Sequence, residues 1–481
     1  MGTTAIVWFR RDLRTHDHPA LHAAVSEYDA VVPVFVLDPR LLHGAGAASG
    51  PRTLFMLGCL RALDAELRAR GGALVVREGA PEHVLADLAA EVEAEAVLWT
   101  SDVAPYARGR DTRVTEALRA VDVAPRPHPG NYIVDVGKPR TKDGSPYSVF
   151  SPFFRLWATL DRRPVLPAPE QVALPDGLEP GAVPDIEVLG VAGQVPDPIV
   201  APGEPAARAA LEGWLDGPIA AYGDKHDDLT GGTSVLSPYL RWGCLSPRET
   251  EEHVAALMGD SAHAMRWPKT GPGAFRRQLA WRDFYAHVLL LNPGNTREAY
   301  QERYRGLEYE DSPARFEAWA AGRTGYPLVD AAMRQLAATG WMHNRARLVV
   351  GSFLTKDLHL DYRLGEAHFS RLLLDGEPAQ NNGNWQWVAS VGVDPAPYFR
   401  RMFNPTLQQR KFDPRGDYVR RWVPELAGVE TEKLFEPWTM TPAEQEAAGC
   451  VIGRDYPAPI VEHARERQRA IERFRAAAEA A

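Results

Sequence analysis

The sequence predicts an α/β fold in two parts, an N-terminal doubly wound parallel-sheet domain followed by a C-terminal half that is all-helical. Three observations lead there. Short apolar runs alternate with amphipathic stretches over residues 1–130, a proline-rich stretch runs from Pro164 to Pro205, and after it apolar residues recur at helical spacing almost throughout.

Taken in order, the runs Ala5–Phe9, Val31–Leu37, Ala73–Val76 and Val97–Trp99 predict strands, with helices over Thr53–Arg70 and Glu82–Val92 between them. Strand and helix in alternation require right-handed crossovers into a parallel sheet, whose ligands sit beyond the carboxyl ends of the strands. Residues 131–204 read as an ordered wrapping linker, because prolines are dense there and long apolar periods are few. Beyond it the periodicity predicts helices over Glu204–Asp216, Pro247–Met258, Gly273–Leu291, Pro327–Thr339, Asn344–Leu354 and Pro459–Ala481. The expected domains are therefore 1–130 and 205–481, joined by 131–204.

Composition narrows the function classes. With 481 residues, 45% of them hydrophobic and 24% charged, the chain can bury a large core without a metal or disulfide staple. Cys59, Cys244 and Cys450 lie far apart and form no CxxC, which argues against a zinc knuckle or a disulfide framework and for a reducing, cytoplasmic setting. No apolar run approaches the ~18 residues a membrane span needs, so no membrane partner is expected. The net charge of −9 speaks against indiscriminate nucleic-acid binding, but it is unevenly spread: Ala274–Glu425 carries +4 and the remainder −13.

Familiar chemical signatures are mostly missing. Gly44–Ser49 comes close to GxGxxG, yet it lies beyond its strand and is followed by Gly50-Pro51, so it reads as a loop rather than a phosphate cradle. There is no GxxxxGK[ST], HExxH or GxSxG, and the histidines show no ligand spacing, so no metal is expected.

The informative stretch runs from Tyr222 to Phe412. Gly231 and Gly232 lead into Thr233-Ser234-Val235-Leu236-Ser237, a seat for a diphosphate or simply an N-cap. Gln278, Trp281, Arg282 and Tyr285 fall at i, i+3, i+4 and i+7, one helix face carrying an amide, an indole, a guanidinium and a phenol; such a stripe is often core. Trp341–Leu348 places Asn344, Arg347 and Leu348 on one face. Asp375-Gly376-Glu377 then precedes Asn381-Asn382-Gly383-Asn384-Trp385-Gln386-Trp387, where Arg347 with Asp375 would form a buried ion pair. Adjacent asparagines between glycine and two tryptophans suggest a polar pocket for a flat ligand, since each buried amide demands partners.

Together these segments resemble the photolyase and cryptochrome flavoprotein family, in particular the class I cyclobutane pyrimidine dimer photolyases of bacteria. The resemblance rests on Val7–Arg14, Thr324–Arg334, Trp341–Arg345, Asn381–Trp387, Phe403–Pro405 and Tyr456–Val461, and so covers nearly the whole chain. It implies an antenna-binding N-terminal domain and a helical domain that holds a U-shaped FAD. The reaction implied is light-driven electron transfer from FADH⁻ to a cyclobutane pyrimidine dimer in DNA, which splits the dimer. The alternative is a cryptochrome-like blue-light photoreceptor without repair activity.

By the same resemblance, Tyr222, Thr233, Ser234, Val235, Leu236 and Ser237 hold the FAD diphosphate. Gln278, Arg282, Trp341, Asn344, Arg347, Asp375, Glu377 and Asn381 surround the rest of the cofactor, with Asn381 facing flavin N5. Trp281 and Trp387 are the walls of the lesion pocket, and Gln278, Asn344, Arg345 and Leu348 meet the DNA beside them. Gln278 stands where most class I enzymes have a glutamate, and Leu348 where a methionine touches the lesion. A phosphate rail is expected from Arg400, Arg401, Arg410, Lys411, Arg415, Arg420 and Arg421. The relay that photoreduces the flavin has three tryptophans in the family; here it reads Trp385, Tyr362 and Tyr309. The antenna positions Phe35, Asp38, Arg52, Asp102 and Arg241 match the 8-hydroxy-5-deazaflavin subgroup, while the Asn-Glu pair of folate-binding members is replaced by Ala107 and Arg108. Methenyltetrahydrofolate, a flavin or an empty antenna site are the alternatives. The expected partner is ultraviolet-damaged DNA, bound by a monomer.

Overall fold

A computed structural model of the chain describes residues 2–44, 48–191, 199–259, 270–394 and 396–480. The chain forms two compact units. The first comprises Met1–Gly223, Ser234–Pro293 and Leu374–Ala379; the second comprises Asp224–Thr233, Gly294–Leu373 and Gln380–Ala481.

The first unit is built on a five-stranded sheet: β1 (Thr4–Phe9), β2 (Ala30–Leu37), β3 (Val75–Glu78), β4 (Ala96–Thr100) and β5 (Ala124–His128). All pairings are parallel and the order is β3-β2-β1-β4-β5. β1, β2 and β4 are near-continuous apolar runs, as a sheet covered by its crossover helices requires. Ile6, Trp8, Val34, Val97 and Trp99 join one core, where the Trp8 and Trp99 rings meet edge to face at 6.1 Å. Connections from β1 lead toward β2 on one side and β4 on the other, so the topological switch point falls between β1 and β4. Arg10, Arg11 and Asp12 follow β1, and Asp102 follows β4, at that point.

β5 was not predicted. Its sequence, Ala-Pro-Arg-Pro-His, has little strand character, and it forms because it lies at the sheet edge, where a missing N–H breaks no second ladder. The glycine-rich segment cannot be followed fully, since residues 45–47 lie outside the described residues. Ser49 caps the Gly50–Arg68 helix, its side chain accepting from the Arg52 N–H at 3.3 Å.

The predicted helices Pro247–Met258 and Pro327–Thr339 appear with those limits. The helix predicted over Gly273–Leu291 begins two residues earlier, at Gly271, because Thr270 supplies the cap. The helix expected over Asn344–Leu354 is regular to Ser352 and then widens into a π turn over Phe353–Asp357. The terminal helix runs over His463–Glu479. Among the described residues no helix is long and apolar enough to cross a membrane.

In the second unit, two stretches that carry the resemblance form a clasp. The Tyr456 hydroxyl donates to Asp330 at 2.5 Å, the Tyr326 hydroxyl to the Val461 carbonyl at 3.0 Å, and the Ile460 N–H to the Thr324 carbonyl at 3.0 Å. Gly325 sits within the clasp at φ +79°, where a Cβ would come within 2.5 Å of the Ala458 backbone. Both the left-handed backbone and the overlap oppose any side chain there. Gly325→Ala is therefore expected to cost roughly 2–4 kcal/mol, read as a lowered urea midpoint with an unchanged m-value; an unshifted midpoint would contradict the clasp.

Candidate functional site

The polar residues at the switch point of the first unit form a buried ionic cluster. Arg11 donates to Glu377 at 2.8 Å and lies 3.4 Å from Asp102. Arg241 donates through Nε to the Gly376 carbonyl at 2.8 Å, and Arg282 donates to the carbonyls of Asn131 at 2.6 Å and Leu240 at 3.2 Å. Burial works against ionisation of Asp102, but Arg11, Arg10 and Arg110 overcome it and bring its carboxyl down to about 2. The arginines respond in the opposite sense. Burial lowers Arg52 to about 10, and burial together with the like charges of Arg11 and Arg52 lowers Arg241 to about 9. Arg241 thus feels the charges of Arg11, Arg52, Glu377 and Asp102, and Glu377 those of Arg11, Arg282 and Asp102. Arg11 Nη2 and the Tyr132 hydroxyl are buried and have no hydrogen-bond partner among the described residues. Two buried donors left idle beside several guanidinium groups are suited to an added acceptor.

Of the other expected antenna residues, Phe35 lies at the end of β2. Asp38 caps the next turn and binds Arg40 at 2.9 Å and the Tyr106 hydroxyl.

The loop before the Ser237–Trp242 helix holds Val235 at φ +52°, a conformation that a β-branched side chain adopts only under constraint. Ser234 accepts from the Leu236 N–H at 3.3 Å, and the Ser237 hydroxyl donates to Asp375 at 2.6 Å. Tyr222 is packed edge-on between Trp214 and Phe275. On the Gly271–Leu291 helix, Gln278, Trp281 and Arg282 are half-buried while their neighbours are buried, so the predicted stripe faces away from the core; Tyr285 is buried and buttresses Trp281 at 5.4 Å. Phe150 stacks flat on Trp281, 3.8 Å between ring centres and 8° between planes. Nothing in the sequence pattern pointed to Phe150, which lies on a separate short helix, Phe150–Trp157.

The second unit contains Thr233, Trp341, Asn344, Arg345, Arg347, Leu348, Asn381, Trp385 and Trp387. His343 caps the Asn344–Ser352 helix by accepting from the Arg345 N–H, and burial lowers it to about 4, so it is neutral. Asn344 is exposed in the first turn of that helix. Arg345 forms a two-pronged pair with Asp227 at 3.0 and 2.8 Å, and Arg347 donates to the Met342 carbonyl at 2.8 Å. Trp341 is buried and Leu348 half-buried.

The asparagine run divides by role. Asn381 donates through Nδ2 to the Glu366 carbonyl at 2.9 Å, which leaves its Oδ1 as the uncommitted acceptor. Asn382 instead donates to the Asn295 carbonyl at 3.0 Å and to the Glu366 carboxyl at 3.1 Å, and Gln386 binds the carbonyls of Asn295 and Glu298. These amides hold the 295–300 loop, so Asn382 and Gln386 are committed to protein carbonyls, unlike the Asn381 Oδ1. Burial raises the Glu366 carboxyl to about 7, against the hydrogen bond from Asn382 and the charge of Arg363.

Trp387 is half-buried, with the Arg401 guanidinium 3.9 Å over its ring. Arg401 is only 2% exposed and donates to the carbonyls of Trp387 and Asp394. It therefore supports the indole and is removed from the expected phosphate rail. Arg410, Arg415 and Arg420 are likewise engaged, with Glu432 and Glu436, with Asp417, and with the carbonyls of Arg415 and Val429. Arg400, Lys411 and Arg421 are exposed and have no carboxylate partner among the described residues.

Trp385 is 3% exposed, and its ring meets Trp319 and Phe369. Gly365 makes room for it, since a Cβ there would come within 2.1 Å of the Trp385 ring. The Tyr362 hydroxyl is buried without an acceptor, and the Tyr309 ring lies under the Arg473 guanidinium at 5.6 Å.

Comparison with known proteins gives a consistent result. Residues 275–476 match the family described as the FAD binding domain of DNA photolyase, and residues 5–171 match DNA photolyase. A deoxyribodipyrimidine photo-lyase of Streptomyces griseus is 41% identical over 97% of this chain and 98% of its own. Among solved structures, a bacterial class III photolyase from Agrobacterium tumefaciens superposes with a TM-score of 0.91 at 34% identity, covering 100% of this chain and 98% of that one. A cryptochrome from Synechocystis superposes with a TM-score of 0.88 at 29% identity, covering 98% and 99%.

A pH dependence follows from Glu366. Its folded value of about 7 lies above the ordinary ~4.3 of a glutamate, so its stabilising contribution is complete below the ordinary value and is lost as the pH rises through about 7. Glu366→Gln keeps an acceptor for Asn382 and removes the ionisation. The melting temperature of the variant should rise relative to the parent as the pH is raised across this window; a constant difference would show that Glu366 is already ionised.

Proposed function

The chain belongs to the DNA photolyase family, and from that premise we propose that it is a deoxyribodipyrimidine photolyase, which uses blue light to split cyclobutane pyrimidine dimers in DNA. One observation carries the choice of repair over sensing. Both indoles expected to wall the lesion are clad on one side by the protein's own groups, Trp281 by Phe150 and Trp387 by Arg401, as sites for stacking a base require.

The residues present fit FAD. The strained Val235 turn, the Ser237 to Asp375 hydrogen bond and the half-buried Arg282 suit the cofactor's polar parts, and Asn381 would offer Oδ1 to a protonated N5. When bound, reduced FAD supplies on excitation the single electron that opens the cyclobutane ring and recovers it afterwards. The protein's part is to deliver the lesion and hold it. Arg400, Lys411 and Arg421 meet phosphates, Asn344 and Gln278 hydrogen-bond base edges, and Trp281 and Trp387 take the faces of the extruded dimer. Gln278 keeps both hydrogen-bonding capacities of the glutamate it replaces but has no acidic proton to give the radical anion.

For the antenna, the class I type with 8-hydroxy-5-deazaflavin is the better match. Its chromophore ionises at the hydroxyl to a delocalised anion, which suits the idle donors Arg11 Nη2 and Tyr132 hydroxyl. Ala107 and Arg108 lack the carboxylate and amide of folate-binding members. The likeness to a cryptochrome favours a blue-light photoreceptor as the second reading.

The deciding assay is reversal of dimers in ultraviolet-treated oligothymidine by the chemically reduced holoprotein under blue light. Light-dependent reversal is expected; a flavin-loaded, reduced protein that binds but never reverses would establish the photoreceptor reading. Gln278→Glu should raise the yield on duplex substrate, and an equal or lower yield would relieve Gln278 of any part in proton supply. Phe150→Ala should weaken binding of the damaged oligomer by about fivefold, as loss of one aromatic contact implies, with unchanged affinity contradicting the buttress.

A further inference from the structure

At two of the three positions where the family keeps a relay tryptophan this chain has a tyrosine, and neither phenol is placed to be oxidised readily. A phenol is oxidised readily only if its proton can leave, and the proton of Tyr362 has no acceptor. Its hydroxyl is buried without a hydrogen-bond partner, Arg363 beside the ring at 5.0 Å can only donate, and neither Asp361 nor Glu366 lies within hydrogen-bonding distance of it. A guanidinium over a ring also raises the cost of making that ring positive. Tyr309 carries the same handicap, with Arg473 over its face.

A different indole touches Trp385. Trp319, on the Pro313–Ala320 helix, is wholly buried, and its ring meets that of Trp385 edge to face, 6.2 Å between centres and 72° between planes. Phe369 is the other ring against Trp385, but an unsubstituted phenyl is too hard to oxidise. Trp319 Nε1 donates to the Val350 carbonyl at 3.1 Å, which stabilises an indole radical cation without requiring proton loss. The side chains around it, Phe316, His368 and Phe369, bring no cation, since burial lowers His368 to about 4 and keeps it neutral.

We propose that Trp319 is the second station of the relay: it donates one electron to oxidised Trp385 in place of Tyr362. This rests on the photolyase reading above. In the sequence of events, Trp385 gives one electron to the light-excited oxidised cofactor and becomes a radical cation. Trp319 then gives one electron to Trp385, which is restored, and the positive charge resides on Trp319. No proton moves and no further reactant is needed; without added reductant the pair ends when the electron returns to Trp319, more slowly than it would return to Trp385 because the separation is greater.

The test is flash absorption of the oxidised holoprotein, following the indole radical-cation band. Trp319→Phe, which retains an aromatic ring, should shorten the life of that band by about tenfold or more, whereas Tyr362→Phe should leave it at the parent value. Dithionite-reduced Trp319→Phe should still reverse dimers, which shows that its cofactor and lesion sites are intact. An unshortened band in flavin-loaded Trp319→Phe overturns the proposal alone, while a parent protein that takes up no flavin overturns the photolyase reading instead. Should Trp319→Phe fail to fold, Tyr362→Phe decides: a shortened band, or a tyrosyl signal in the parent that this variant removes, rejects Trp319.

Discussion

The helix Pro378–Ala389 starts from a closely held approach. Three consecutive residues before it are each held by a polar contact within the first unit: Asp375 by the Ser237 hydroxyl, the Gly376 carbonyl by Arg241, and Glu377 by Arg11. The last is a buried ion pair between residues 366 apart in sequence. Removing one partner of such a pair typically costs about 3–5 kcal/mol, because the other charge is left stranded. Pro378 then starts the helix where its missing N–H is harmless. From that start the helical repeat fixes the rest: Asn381 and Trp385 follow one face, while Asn382 and Gln386 share the next and are spent on the 295–300 loop.

This division explains what could and could not be read from the sequence. Buried strands and amphipathic helices declare themselves by local periodicity, and the sheet and the long helices matched to within a few residues. β5 escaped because its prolines argue against a strand unless one knows that it lies at an edge. The asparagine run was legible as polar and buried, but not the partition between Asn381 and its neighbours, since both need a buried amide and only the position of the 295–300 loop separates them. Phe150, Glu366 and Trp319 were missed for a common reason: each acts through a contact with a residue distant in sequence, and phenylalanine, glutamate or tryptophan on a helix is locally unremarked. Arg401 was misassigned because a basic residue beside other basic residues looks like surface until its burial is known.

The two charged regions of the molecule obey different rules. In the first unit, the arginines at the switch point act on one another as well as on Asp102 and Glu377, and Arg11 Nη2 and the Tyr132 hydroxyl are buried donors without a partner among the described residues. In the second unit, most basic side chains after Phe399 are already committed to carboxylates, carbonyls or rings. A count of lysines and arginines therefore overstates the positive surface available to DNA. Arg400, Lys411 and Arg421 are exposed, the last two over the Phe412 and Trp422 rings, and on the proposed reading they would give a salt-dependent attraction to phosphate without selecting the lesion.

On the proposed reading selection would come from the indoles Trp281 and Trp387, and the cladding of each bears on how. Stacking returns roughly 1–3 kcal/mol per base, about twice the ~0.5–1.5 kcal/mol needed to immobilise a mobile side chain on binding. An indole that had to be ordered by its ligand would lose about half of the stacking energy to that cost. Trp281, lying flat against Phe150, and Trp387, under Arg401 with its own carbonyl bound by the same guanidinium, have met that cost during folding. The full stacking energy is then available against the cost of extrusion, a few kcal/mol for a paired base and least for one already distorted by damage. With indoles of fixed strength, the proposed site would leave the outcome to how firmly the duplex holds the base, so that intact DNA would be released and damaged DNA retained without a contact that reads the cyclobutane ring itself.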